Sequence, residues 1–340
     1  MEKILEVKNL STSFFTSQGE VQAVRKLSLS VAKGEALGVV GESGSGKSVS
    51  FMSLLGLLPN NGRVKSGIAL FNGSDLLGLR GRELRAVRGR DISMVFQDPM
   101  SSLNPLKTVG KQVAEALEVH TKLSKPEIKN KTIEMLKLVK IPEAEKRYNS
   151  WPHEFSGGMR QRVMIAMALV CEPQLVIADE PTTALDVTIQ AQILMLLREL
   201  KDELGSAVVF ISHDLSVIAN MCQRIVVMYG GMVMEEASTE AIFSYPSHPY
   251  TMGLLASIPD LEQKKDALLE PIPGSPPDML APPQGCPFAP RCTHAMTICL
   301  KELPPLAEAA SGHSSRCWLW SEFAPTKGNV FKEGAVHVKG

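Results

Sequence analysis

An α/β fold is predicted by three features of the sequence. A short apolar run at Ala36–Val40 passes directly into a glycine-rich loop and then into a segment of helical length. A second apolar run, Leu175–Ala178, ends on two adjacent carboxylates, Asp179 and Glu180. Strand-like and helical segments then alternate along most of the chain, the order expected of helices packed on a largely parallel sheet. Hydrophobic residues make up 44% of the 340 positions and charged residues 21%, enough for a packed core and too little charge for a disordered chain. The 36 basic and 36 acidic side chains cancel, which argues against a generally basic nucleic-acid-binding surface. The longest uninterrupted apolar stretch, Val163–Cys171, has nine residues, whereas a membrane-spanning helix needs about 20. The opening MEKILEVKNL mixes acids and lysine with apolar residues, so neither a transmembrane helix nor a signal peptide is expected.

The first 35 residues read as a small β region, with LEVKNLSTSF alternating apolar and polar positions. Ala36–Val40 is the first buried strand. After the loop, SVSFMSLLGLL carries a helical apolar stripe that Pro59-Asn60-Asn61-Gly62 terminates. Short strands follow at 67–71 and 91–96. A mainly helical stretch, about 98–165, reads as a subdomain inserted between core strands. The core resumes with Leu175–Ala178, a helix at about 187–203 and a strand at 207–212. A hairpin at 224–229 and 231–235 is expected to close it. Residues 1–260 thus form the expected main domain, and 261–340 a C-terminal extension rich in Pro and Cys. Eight prolines between 271 and 290 exclude regular helix and central strand there, which suggests an extended linker.

The eight residues Gly41-Glu42-Ser43-Gly44-Ser45-Gly46-Lys47-Ser48 match the P-loop pattern, between a strand and a helix. Small residues there let backbone N–H groups surround phosphate oxygens, and the helix N-terminus adds favourable potential. Lys47 is placed to reach the β- and γ-phosphates, and the Ser48 hydroxyl suits Mg²⁺. At the second strand end, Asp179 fits a role in holding Mg²⁺ and Glu180 one in polarising an attacking water. Gln97, ending the DISMVF strand, is a candidate contact to Mg²⁺ or water, and His213, ending AVVFIS, a candidate for the γ-phosphate and lytic water.

These motifs, with FSGGMRQR at 155–162, LVIADE at 175–180 and Ala184-Leu185-Asp186, closely resemble the ATP-binding subunits of ABC transporters over about the first 240 residues. The resemblance implies an ATPase with a P-loop NTPase core and a helical subdomain, working in a head-to-tail sandwich. In that sandwich Ser156, Gly157 and Gly158 of one subunit close over ATP held by the loop of the other. Met159 stands where glutamine is common. Phe14 occupies the position of an aromatic that stacks on adenine, with Phe15 adjacent. QDPMSSLNP at 97–105, PTTALDVTIQAQI at 181–193 and SHPYT at 247–251 further resemble the oligopeptide, dipeptide and nickel importer ATPases. Implied partners are a second ATPase subunit, identical or paralogous, two transmembrane permeases and, indirectly, an extracytoplasmic peptide-binding protein. The implied location is the cytoplasmic face of the membrane, and the 98–120 region is the implied permease contact. A nickel or other solute importer and a non-transport ABC-type ATPase are the alternatives, and a nonenzymatic regulatory subunit is a third.

Cys286, Cys292, Cys299 and Cys317 cluster late in the chain, separated by five, six and seventeen residues. Four thiolates suit a tetrahedral Zn²⁺ site or an iron–sulfur cluster. The family resemblance implies a 4Fe-4S cluster, with Zn²⁺ as the alternative. His294 and His313 lie within the span as possible replacements for a thiolate, while Cys171 and Cys222 read as core residues.

Overall fold

A computed structural model of the chain describes residues 2–182, 186–258, 272–322 and 324. Ala184 and Leu185 of the sequence motif, and Pro271 of the proline-rich run, lie outside the described residues. The chain divides into two units, one centred on residues 78–211 and the other on 5–30, 37–77 and 212 onward.

In the first unit, Ile92–Val95, Leu175–Asp179 and Ala207–Ser212 form parallel strands, with Val95 opposite Ala178 and Asp179 opposite Ile211. Every residue of the second and third strands is buried, which explains their unbroken apolar sequence. Helices Val109–His120, Lys125–Leu138 and Gly157–Leu169 supply the helical part. Val113 and Leu117 are buried from the first of them, Met135 and Leu136 from the second, and Val163 and Ile165 from the third. Ser124 starts the second helix and donates its backbone N–H to the Glu127 carboxylate at 2.7 Å, satisfying a helix-end donor that would otherwise lack an acceptor. Helix Val187–Leu204 turns Ile193, Leu196, Leu197 and Leu200 inward.

The second unit contains an antiparallel sheet in which Lys3–Thr16 pairs with Gly62–Phe71, placing Phe14 opposite Gly62. It also contains the fully buried strand Ala36–Val40, parallel to Arg224–Tyr229. The expected hairpin is present, with Arg224–Tyr229 antiparallel to Met232–Ser238. It does not close the sheet. Met232–Ser238 pairs on its other side with His313–Ser315, which pairs in turn with Ala307–Ala310. An uncovered edge would leave backbone donors and acceptors unpaired, and the C-terminal extension covers it.

The proline-rich stretch is likewise more than a linker. Gln22 donates its backbone N–H to Met279 O at 2.9 Å, and an Arg25 guanidinium N–H reaches Pro283 O at 3.2 Å. Proline lacks an N–H but keeps its carbonyl, so such a stretch can accept hydrogen bonds without becoming a strand. Among the described residues, no helix is long and apolar enough to cross a membrane.

Candidate functional site

The Gly41–Ser48 loop links the buried strand Ala36–Val40 to helix Lys47–Leu54. Two of its glycines are required by close approaches. A Cβ on Gly41 would lie 2.1 Å from Met228 O, and one on Gly46 would lie 2.4 Å from Ala23 O. Gly46 also has φ of 93°, a left-handed conformation that side chains disfavour. The Ser45 amide donates to Glu42 O at 3.2 Å, tightening the turn. Lys47 is buried, with Nζ donating to Gly41 O at 2.6 Å and Glu42 O at 2.9 Å. The loop thus curls around its own ammonium group. Ser43 and Gly44 are exposed and Ser48 is half-buried in the first helical turn.

Phe14 and Phe15 differ in surroundings. The Phe14 ring is half-buried over Gly62, where an added Cβ would come within 2.9 Å of Cε1. Phe15 is 40% exposed, with Lys65 Nζ 5.3 Å and the Arg63 guanidinium 5.7 Å from its ring centre. His213 is exposed just beyond strand Ala207–Ser212, and the turn after it is fixed by Asp214 N–H donating to Ser212 Oγ at 2.9 Å.

In the first unit, Gln97 and Glu180 come together at the ends of adjacent parallel strands, Gln97 Nε2 donating to Glu180 Oε2 at 3.0 Å. Asp179 is buried at the strand terminus. Glu180 has φ of 43°, and its amide donates to Ile211 O at 3.0 Å. A left-handed glutamate costs on the order of 1–3 kcal/mol. Ser156 is exposed at the start of helix Gly157–Leu169, its Oγ accepting the Met159 amide at 3.4 Å. Gly157 is exposed and Gly158 half-buried beside it.

The expected iron–sulfur or zinc centre is not supported. Among the described residues, no group of three or more His, Cys, Asp or Glu is arranged to hold a metal ion. Cys286, Cys292, Cys299 and Cys317 border one small cavity, but as free cysteines packed beside Phe288 and Trp318. Burial pushes the Cys286 thiol up to about 12 and raises Cys292 and Cys317 as well. Backbone contacts also organise the segment: the Cys286 amide donates to Cys299 O at 2.7 Å, and Cys299 Sγ accepts the Met296 amide at 3.4 Å. Nor does His313 substitute as a ligand, because its Nε2 lies 2.7 Å from buried Glu235 Oε1.

Residues with no assigned role gather at the loop. Glu42 receives the guanidinium of Arg291 on both carboxylate oxygens, at 2.6 and 3.0 Å, and its backbone N–H donates to Tyr250 Oη at 2.8 Å. Glu42 and Tyr250 lie inside the quoted GESGSGKS and SHPYT motifs. Arg291 carries no comparable sequence signal.

The ABC transporter family model matches residues 24–183, and that of the oligopeptide/dipeptide transporter C-terminal region matches 234–299. The chain is 52% identical to the oligopeptide transport ATP-binding protein OppD of Escherichia coli, over 93% of each chain. It is 50% identical to the dipeptide transport ATP-binding protein DppD of Bacillus subtilis, over 95% of this chain and 97% of the relative. Among solved structures, the ATP-binding cassette MJ0796, a dimer in a post-hydrolysis state bound to ADP and Pi, aligns with a TM-score of 0.62 and 30% identity. That alignment covers 69% of this chain and 98% of the cassette. The loop, the carboxylate-bearing strand end and these relatives agree: the chain belongs to the ATP-binding proteins of the ABC transporter family.

Proposed function

We propose that the chain hydrolyses ATP to power the import of di- or oligopeptides through partner permeases. The observation that carries this reading is the Gln97–Glu180 contact at 3.0 Å, which sets a carboxylate at a strand end in a chain that also carries a phosphate-type loop. Phosphoryl transfer needs alignment and charge stabilisation more than a covalent nucleophile. Lys47 and the amides of Gly44, Ser45 and Gly46 are assigned to the β- and γ-phosphates. Glu180 is assigned to orienting and polarising the attacking water, with His213 at the γ-phosphate. Phe14 is assigned to adenine, and the exposed Phe15 offers a neighbouring stacking face.

Ser48, Gln97 and Asp179 are the residues that would hold Mg²⁺; hydroxyl, amide and carboxylate oxygens are the hard donors this ion favours. When bound, Mg²⁺ neutralises charge on the phosphate oxygens. Ser156, Gly157 and Gly158 are assigned to the nucleotide of a second ATPase subunit. In this account residues 1–260 are the motor, about 98–165 its helical subdomain and permease-facing region, and 261–340 an extension. The assembly sits at the cytoplasmic face of the membrane, where solute reaches the permeases from an extracytoplasmic peptide-binding protein.

The peptide assignment draws on the relatives' names and on the match to residues 234–299. Uptake of labelled dipeptide, longer peptide and nickel in cells with and without the chain tests it. Loss of peptide uptake with nickel uptake unchanged is expected; loss of nickel uptake alone would replace the peptide assignment.

A further inference from the structure

Arg291 lies in the C-terminal extension, 249 positions from Glu42, yet its side chain ends against the phosphate-binding loop. Every guanidinium N–H has an acceptor. Nε donates to Pro273 O at 2.8 Å, Nη1 to Glu42 Oε2 at 2.6 Å and Tyr229 Oη at 3.1 Å, and Nη2 to Glu42 Oε1 and Ile272 O at 3.0 Å each. The Arg291 side chain is only 5% exposed and that of Glu42 26%. The rings of Tyr229 and Phe288 stand 5.7 and 5.9 Å from the guanidinium carbon. A planar two-pronged pairing held among aromatic rings fixes direction as well as charge.

Glu42 transmits that constraint to the loop. Its amide is held by Tyr250 Oη at 2.8 Å, while its carbonyl accepts Lys47 Nζ at 2.9 Å and the Ser45 amide at 3.2 Å. Pro276 and Pro277 of the extension also border a pocket with Glu42, Ser43, Gly44 and Ser45. The extension therefore grips the loop's first turn from outside, through the residue whose carbonyl meets the loop lysine.

We propose that Arg291 is a positioning residue for ATP binding: by clamping Glu42 it holds the Gly41–Ser48 backbone and Lys47 ready for phosphate, so the extension sets nucleotide affinity. The inference rests on the reading of this loop as the ATP phosphate cradle. A lysine would keep the charge and lose the two-pronged geometry, since one ammonium cannot reproduce five in-plane donors.

The test uses the full chain assembled with its ATPase and permease partners, with the KM for ATP and kcat measured alongside thermal melting and hydrogen exchange of residues 42–46. Arg291→Gln is expected to raise KM about tenfold with a smaller change in kcat, because ground-state phosphate positioning is lost. Glu42→Gln should do the same, and Arg291→Lys should lie between Arg291→Gln and the unmodified chain. In the double variant Arg291→Gln with Glu42→Gln, KM should exceed that of the worse single by no more than about twofold, as for residues acting through one contact. Loop amides should exchange faster in both singles while the Ala36–Val40 amides stay protected. An unchanged KM in a folded Arg291→Gln chain, or single losses that multiply in the double, would overturn the proposal. If Arg291→Gln does not fold, the more exposed Glu42→Gln decides it by the same KM criterion. Lys47→Ala is the separate control: retained ATP affinity in that variant would reject the cradle reading itself, whatever Arg291 does.

Discussion

Glu235 and His313 form a buried pair, with Oε1 of the strand residue 2.7 Å from Nε2 of the extension residue. Both side chains are at most 6% exposed, and Ser247 N–H also donates to Glu235 Oε1 at 2.5 Å. This pair pins the C-terminal strand His313–Ser315 onto Met232–Ser238, whose register sets Glu235 opposite Ser315.

His313→Ala should therefore destabilise the extension far more than an ordinary surface change. It removes the imidazole beside a carboxylate that is fully buried and whose Oε2 already lacks a hydrogen-bond partner. Leaving a buried polar group without its hydrogen-bond partner costs about 1–3 kcal/mol. Thermal melting should fall by several degrees, with early proteolytic cleavage between 300 and 322. His313→Gln, which can still donate to Glu235, should recover part of the loss. An unchanged melting temperature in His313→Ala would remove the pair from the account.

Gly46→Ala tests the loop's backbone requirement. The new methyl meets Ala23 O at 2.4 Å while the residue must keep a φ of 93°. A loss of about 1–3 kcal/mol from strain is expected, with weaker ATP binding because the loop must shift. Gly44 has φ of 78° but open space beyond its Cα, so Gly44→Ala should be the milder change. Denaturant melts and nucleotide titration of the two variants check the order; equal effects would contradict it.

Acid stability gives a third check. His248 is buried, its Nδ1 accepting the Tyr250 amide at 3.0 Å, and desolvation lowers its pKa to about 3. A base whose folded pKa lies below its unfolded value contributes stability above the unfolded value, near 6.5, and loses it as pH falls toward 3. The unfolded chain binds the extra proton in that window. His248→Asn, which keeps a neutral acceptor near the Tyr250 amide, should flatten the loss of stability between about pH 6 and pH 4. An unaltered slope in equilibrium denaturation would count against a role for His248.

Sequence alone carried much of the core. Gly41–Ser48 and Leu175–Glu180 are contiguous motifs whose chemistry follows from their residue types and flanking apolar runs, so the loop and carboxylate-bearing strand end were both legible. The Arg291–Glu42 pair was not, because it depends on how a chain of proline-rich turns returns to the loop. Cys286, Cys292, Cys299 and Cys317 misled in the opposite direction: count and clustering suggested a metal or iron–sulfur centre, whereas no ligand set is formed among the described residues. The edge strand His313–Ser315 was hidden for a further reason. Three residues are too few to show a period, and their pairing with Met232–Ser238 is decided by tertiary contact.

The most direct test of the ATPase assignment is nucleotide binding and steady-state ATP turnover of the assembled complex, comparing the unmodified chain with Glu180→Gln. Replacing the carboxylate keeps the side-chain shape and an oxygen acceptor for Gln97 Nε2 while removing a base. Turnover should fall by about 10²–10⁴-fold, the usual contribution of a positioned acid–base group, with ATP affinity retained. Unchanged turnover would contradict the central role of Glu180, and equal loss of binding and turnover would make it a nucleotide-holding residue instead.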